Sequence, residues 1–445
     1  MAALVIAFAS APPKLKGLPD RPLEPGAVPG GRASIADATA STPNIKEVGL
    51  DELESFRQET RAWLEANCPE SMRTPMPREE QVWAGRRQHF PSEEARIWFE
   101  RMRDRGWTVP DWPKEYGGGG LDPQQTRILR EEMKRLGCRT PLMDLGIWML
   151  GPALLEHGSE EQKREHLIRI ARGEVRWCQG YSEPGAGSDL ASLQCRAEDR
   201  GDHFLVNGTK IWTTSADQAD WIFALVRTDT SGPKQAGISF MLIDMASPGV
   251  STTPIQLLSG ESEFCQTFFD NVRVPRENIV GGINQGWAVA KTLLRYERRL
   301  MSEIGQDTPG PSFGPVAAAL RYVGKGADGR LADPALRDQL VRHEMNMRAV
   351  ALTHFRTFEE RMAGTADSRV PLIMKYIGTE EEKRKQELML ALLGMNALGW
   401  EGEAFSEDEQ LTLRAWAMSK TLTIAGGTSE IQLNIIAKRA LGLPD

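Results

Sequence analysis

Between Glu174 and Pro275 the hydrophobic pattern of this chain changes period, and that change limits its architecture more than any other feature. From Leu50 to Arg172 the pattern is helical, as in Leu53, Phe56, Thr60, Trp63 and Leu64, and later in Leu154, Leu155, His166, Leu167 and Ile170. It then turns to short strands at Phe204-Leu205-Val206, Trp221 to Val226, Ile238 to Ile243 and Thr267 to Val274. Asn207-Gly208 and Ser231-Gly232-Pro233 supply turns between them. From Gln285 the helical pattern returns and runs to Ala440, broken at 307–333 by a stretch rich in Gly, Pro and Asp that is expected to be a loop or insertion. A chain of 445 residues is long enough for about three domains. The order helical, β, helical predicts an α+β fold divided at 46–173, 174–284 and 285–445. Residues 1–45, rich in Pro, Gly, Ala and Ser without periodicity, are expected to form a disordered or extended leader.

Composition narrows the classes of function. A formal net charge of -7 argues against nucleic acid as the main partner. Five cysteines, at 68, 138, 178, 195 and 265, follow no CxxC spacing, which favours a reducing compartment over a disulfide framework. The six histidines form no HxxH or HExxH, so no metal site is expected. Met1 to Ala11 is apolar, yet no Lys or Arg precedes it as a signal peptide requires, and no run approaches the ~20 apolar residues of a membrane span. A soluble, cytoplasmic protein is expected.

The residues that carry chemistry are Tyr181-Ser182-Glu183-Pro184-Gly185-Ala186-Gly187-Ser188-Asp189 and Lys210-Ile211-Trp212-Thr213-Thr214. Small residues at 185, 186 and 187 let the backbone approach a bulky ligand, while Ser182 and Ser188 offer hydroxyls to polar ring edges or a pyrophosphate. Alone, such a loop is equally a tight β-turn. Trp212 can lie against a flat ring, and Thr214 can reach its edge from the end of a neighbouring strand.

Together these segments resemble the acyl-CoA dehydrogenase family, and the resemblance runs from about 46 to 445. Further marks are Trp112-Pro113-Lys114-Glu115-Tyr116-Gly117-Gly118, Asn207-Gly208, and Ile424-Ala425-Gly426-Gly427-Thr428-Ser429-Glu430-Ile431-Gln432. The resemblance implies an N-terminal all-α domain, a middle β-barrel-like domain and a C-terminal four-helix bundle. It implies FAD held by Tyr181, Ser182, Gly187, Ser188, Trp212 and Thr214, with Thr428 and Glu430 reaching the cofactor from the last helical region. The implied reaction is α,β-dehydrogenation of an acyl-CoA to the trans-2-enoyl-CoA, flavin N5 accepting the β-hydride and an electron-transfer flavoprotein the electrons.

The chain departs from the family at the base. Many members carry a glutamate just before Gly-Thr-Ser, where this chain has Gly426. In a second family position the glutamate precedes an arginine on the first helix of the C-terminal domain, and Tyr296-Glu297-Arg298 matches it. Ala290, Leu293, Leu294, Met301 and Ile304 place Glu297 on a shared apolar stripe, whereas Arg299 has Glu303 as a surface partner. Burial there would raise the carboxyl toward a range suited to proton abstraction.

By the same resemblance, the Gly426 N–H binds the thioester carbonyl, although Gly426-Gly427 is also a plain turn before a capped helix. Ser188 and Arg298 are candidates for substrate contact, Arg298 being equally one of a solvated basic face with Arg295 and Arg299. The Arg-x-x-Phe-Gly segment that reaches FAD in a neighbouring subunit is replaced by Arg330-Leu331-Ala332-Asp333-Pro334, leaving Arg330 as the substitute. Three alternatives for function and assembly stay open: a homo-oligomeric dehydrogenase, an oxygen-using flavin oxidase or monooxygenase, and a half-site subunit of a mixed oligomer.

Overall fold

A computed structural model describes residues 50–303 and 313–444, without the side chains of 50, 78, 298–303, 358 and 362. The expected leader at 1–45, Ile304, and the side chains of Arg298, Arg299, Met301 and Glu303 lie outside the described residues.

The N-terminal helices are α1 (Leu50–Asn67), α2 (Glu93–Asp104), α3 (Pro123–Leu136), α4 (Gly151–His157), α5 (Glu160–Gln162) and α6 (Ile168–Ala171). Local chemistry sets their ends. Asp122 and Gln125 form a capping box on α3, Pro123 fills its first turn, and Gly137 closes it at φ 75°. Buried Glu132 ties α3 to α1 through Arg57 at 3.0 Å and Arg61 at 2.9 Å, with Arg135 at 2.7 Å completing the cluster. Its hydrogen bond from Arg61, with those from Arg135 and Arg57, holds its carboxyl down at about 2 against the opposing effect of burial.

The middle part is one sheet of β1 (Trp177–Gly180), β2 (Arg196–Asp199), β3 (His203–Thr214), β4 (Trp221–Arg227), β5 (Ile238–Asp244), β6 (Val250–Ile255), β7 (Phe264–Pro275) and β8 (Ile279–Val280). The order is β6-β7-β3-β2-β4-β5-β8, with β1 also paired in parallel to β4. Strands β4 and β5 are apolar without alternation because both faces are covered. Phe223, Leu225, Phe240 and Leu242 join the core with Met149, Leu154 and Leu293, while Ile222, Ala224, Val226, Met241 and Ile243 pack with Phe204, Cys265 and Val272 on the other face.

The C-terminal part holds α7 (Gly286–Glu303), α8 (Pro315–Ala318), α9 (Pro334–Met362), α10 (Val370–Leu393), α11 (Glu407–Leu422) and α12 (Ser429–Ile435). Helix α10 packs between α9 and α11, and α7 lies against β5 and α4. The segment expected to be loop at 307–333 is corrected in part: α8 continues as a helical turn over Ala319–Val323. Pro315 sits in the first helical turn, where its missing N–H costs nothing, and the alanines after it favour helix, so the residues that suggested a loop flank a short helix. Ala318 and Ala319 bury against Leu388, Met389 and Leu392 of α10.

Candidate active site

The glycine-rich loop leaves the end of β1 and is fixed from beneath. Glu183 is buried, and its carboxylate accepts from the Gln194 N–H at 2.6 Å, the Cys195 N–H at 2.8 Å and Lys210 Nζ at 2.7 Å. Lys210, fully buried within β3, also donates to the Tyr181 carbonyl at 3.2 Å. The Ile211 N–H donates to the Ser182 carbonyl at 2.9 Å, and Glu183 and Ala186 exchange backbone hydrogen bonds across the turn. One buried ion pair therefore joins the two halves of the motif. The glycine and serine pattern gave no hint of Glu183 and Lys210; the available signal was a lysine at an inward position of a strand.

Above this anchor the loop is open. A side chain at Gly185 or Gly187 would meet nothing within 4 Å, and Gly187 and Ser188 are exposed. Trp212 is 38% exposed at φ 60°, beside an irregularity in the β3–β7 register between Lys210 and Thr213. A bulge of this kind re-aims a side chain, and here the indole faces outward with its edge toward Phe264. Thr214, at the end of β3, is buried, as is Thr213, whose hydroxyl donates to the Cys265 carbonyl at 2.7 Å.

Tyr181 packs its ring edge-on to Phe223 and Phe240, and its buried hydroxyl has no hydrogen-bond partner among the described residues. Burial, and then the charge of Glu297, pushes this phenol well above its ordinary pKa. Glu297 is thus within electrostatic reach of the motif loop.

Helix α7 delivers Glu297 by burying Val289, Ala290 and Leu293 against the sheet. The carboxylate is 4% exposed, and a Cβ built on Gly426 would stand 3.9 Å from its Oε1. Its neighbours face elsewhere: Arg295 at 2.6 Å and the Tyr296 hydroxyl at 2.8 Å both engage Glu156. Arg295 is therefore an ion-pair partner of α4.

Gly426 and Gly427 have φ of 64° and 99°, a left-handed path that residues with a Cβ rarely follow. Thr428 caps α12 by accepting the Ile431 N–H at 3.3 Å, and Glu430 lies exposed in its first turn. The backbone N–H of that turn and the Thr428 hydroxyl lower the Glu430 carboxyl below its usual range. Arg330 sits on an exposed turn before α9, 3.9 Å from Asp328.

The tertiary structure thus brings together the 181–189 loop with Trp212 and Thr214, and Glu297 with Gly426. Thr428, Glu430 and Arg330 stand on the C-terminal helical part. A cavity of about 920 Å³ opens in the N-terminal helices and extends to α7, with Trp112, Ile147, Trp148 and Tyr296 among its lining residues.

Comparison with known proteins places this geometry. Residues 51–174 match the model for the acyl-CoA dehydrogenase N-terminal domain, 178–272 that for the middle domain and 284–441 that for the C-terminal domain. Acyl-CoA dehydrogenase IpdE1 of Mycobacterium tuberculosis is 33% identical over 395 residues, covering 89% of this chain and 99% of that protein. Among solved structures, the Tcur3481-Tcur3483 steroid ACAD is 30% identical with a TM-score of 0.67, covering 90% of this chain and 100% of that one. The ChsE4-ChsE5 complex from Mycobacterium tuberculosis is 28% identical with a TM-score of 0.66, over 90% of this chain and 100% of that one.

Proposed function

The chain belongs to the acyl-CoA dehydrogenase family and is an oxidoreductase of acyl-CoA thioesters, and from that premise we propose that Glu297 is its base and FAD its cofactor. The observation that carries this reading is the approach of the Glu297 carboxylate to Gly426, from a different helix. The commonest family base would stand at 426; here α7 supplies a carboxylate to the same neighbourhood.

The residues fit a flavin. Open space over Gly185 and Gly187, the outward Trp212 and the buried Tyr181 hydroxyl form a platform with room above and polar capacity below. Tyr181, Ser182, Gly187, Ser188, Trp212 and Thr214 would hold FAD, with Thr428, Glu430 and Arg330 contributing from the C-terminal helical part. FAD, when bound, supplies the two-electron acceptor for the reaction. Glu297 takes the α-proton onto its carboxylate, a transfer suited to a group desolvated by the α7 stripe. The Gly426 N–H, which no backbone carbonyl accepts among the described residues, stabilises the negative charge that develops on the thioester oxygen. The product is a trans-2-enoyl-CoA, and an electron-transfer flavoprotein reoxidises the enzyme. Ser188 and Arg298 are the proposed contacts to the CoA arm.

The steroid ACAD among the structural relatives makes a steroid-derived acyl-CoA the first candidate for the acyl group. Partnership with a related subunit is the assembly we favour. Val341, Met345, Leu352 and Phe355 are exposed and share one face of α9, and the ChsE4-ChsE5 structure is itself a complex of two chains. No described helix is long and apolar enough to cross a membrane, and a cytoplasmic location is part of the same proposal.

Anaerobic titration of the purified protein with a panel of acyl-CoAs, from short straight chains to steroid-derived ones, tests this reading. Bleaching of the flavin with enoyl-CoA formation is expected with a bulky acyl group. A protein that bleaches with none of them, alone or with a co-expressed related subunit, would contradict it.

A further inference from the structure

We propose that Lys375 is a positioning residue for the thioester-carbonyl site, holding the Gly426-Gly427 backbone so that the Gly426 N–H stays aimed at the substrate oxygen. The proposal rests on the dehydrogenase reading above and adds to it a residue that touches neither substrate nor cofactor. Lys375 rises from α10, and its Nζ donates to the Gly427 carbonyl at 2.7 Å and to the Leu422 carbonyl at 3.2 Å. Those carbonyls bracket the turn: Leu422 ends α11, and Gly427 precedes the cap of α12. A single ammonium thus spans the two ends of the segment that carries Gly426.

The segment needs such a tie because two consecutive glycines at positive φ leave the backbone with little steric restraint of its own. A peptide unit in this setting can rotate, carrying its N–H off target, and oxyanion donors act only when already aimed. Two further supports flank the lysine. Gln432 Nε2 donates to the Gly426 carbonyl at 3.3 Å, and the Ser429 hydroxyl donates to Glu380 Oε1 at 2.6 Å. Each of these holds one side of the turn; the Ser429 N–H closes it along the backbone by donating to the Thr423 carbonyl at 2.9 Å, and Lys375 adds a side-chain tie from a separate helix.

Burial pushes the Lys375 ammonium down to about 8, against the opposing pull of Glu380 and Glu430. A lysine kept in so unfavourable a setting, with its donors on backbone carbonyls and no carboxylate salt bridge among the described residues, is costly as a mere surface feature. A glycine at 426 has no side chain to restrict this turn, so the restraint comes from neighbouring elements, α10 among them.

The test uses a β-ketoacyl-CoA, whose α-proton ionises without oxidation, so that the pH midpoint for forming its bound enolate reports stabilisation of the charge shared by its two carbonyl oxygens, one of them the thioester oxygen. Lys375→Met holoenzyme, with FAD content unchanged, is expected to need a pH about one unit higher than wild type, a roughly tenfold loss of enolate stabilisation. Amide exchange in the 423–428 segment, measured with and without FAD, is expected to rise relative to the rest of α10 and α11. A lower melting temperature with the wild-type midpoint overturns the proposal, since Lys375 is then only a structural tie. Should the methionine variant fail to fold, Lys375→Gln, which keeps a donor of shorter reach, is expected to shift the midpoint in the same direction, and an unshifted midpoint overturns the proposal equally. Wild-type protein that retains no FAD or leaves the ligand un-ionised refutes the dehydrogenase reading and not the role of Lys375 within it.

Discussion

Glu297 and Gly426 are 129 positions apart in the chain, yet a side chain on one would touch the other. If Glu297 is the base, as proposed, the carboxylate reaches the neighbourhood of Gly426 from α7 and not from the 424–428 turn. Glu297→Gln removes the base while keeping size and a polar end, so FAD content should stay at the wild-type level. Reduction by substrate, followed by stopped-flow absorbance, is expected to slow by about 10²–10⁴-fold, the range for loss of a positioned general base. Reduction within a few-fold of wild type would remove Glu297 from that role. The motif glycines and serines were legible because a flat ligand needs small residues and hydroxyls in one short stretch. The Glu183–Lys210 pair was not, because an inward lysine on a strand does not name its partner until the strand and loop are folded together.

Among the elements, the α1–α3 pair depends on charge at its centre. Three arginines surround Glu132, whose side chain is 2% exposed. Removing its charge leaves the guanidiniums without their shared carboxylate, so Glu132→Gln is expected to destabilise the protein by about 3 kcal/mol in denaturant unfolding.

The same residue predicts a pH effect. A carboxyl held at about 2 in the folded protein and near its ordinary value of 4.5 when unfolded contributes stability that is full above 4.5. That contribution is lost as pH falls toward 2. His166 acts in a separate window. Burial between Trp177 and Trp221 lowers it from 6.5 to about 4, so its contribution is full above 6.5 and lost as pH falls toward 4. His166→Phe is expected to flatten the fall in melting temperature between pH 6.5 and 4, while Glu132→Gln flattens only the part below about 4.5. Equal slopes in wild type and His166→Phe would count against a neutral buried imidazole. Capping boxes mark the starts of α3 and α11 in the structure, whereas α8 was hidden by the glycines and prolines on either side of it.

At the scale of the whole molecule, the exposed apolar residues are unevenly distributed. Most of the large ones among the described residues lie beyond Phe313, on the C-terminal helical part. Val341, Met345, Leu352 and Phe355 follow one another at spacings of four, seven and three, which keeps them on one face of α9. Such a stripe on a surface helix fits burial by another chain. The paired substitution Met345→Glu with Phe355→Glu is expected to halve the mass measured by light scattering, or to abolish co-purification with a related subunit. The N-terminal core, remote in sequence from α9, should keep its unfolding transition. An unchanged mass would exclude this face from assembly.

The sequence by itself determined the three-part order of helix, sheet and helix, because periods of 3.6 and 2 are local properties of the chain. It also determined the small-residue platform and the loss of a carboxylate at Gly426, since both are matters of residue type. The depth of burial of Glu297 and its approach to Gly426 were decided only by tertiary structure. So were the Glu183–Lys210 anchor and the reach of Lys375 across the last turn. Each of these depends on where separate elements meet, and such meetings are set by packing α7, α10 and the sheet against one another, not by any spacing along the chain.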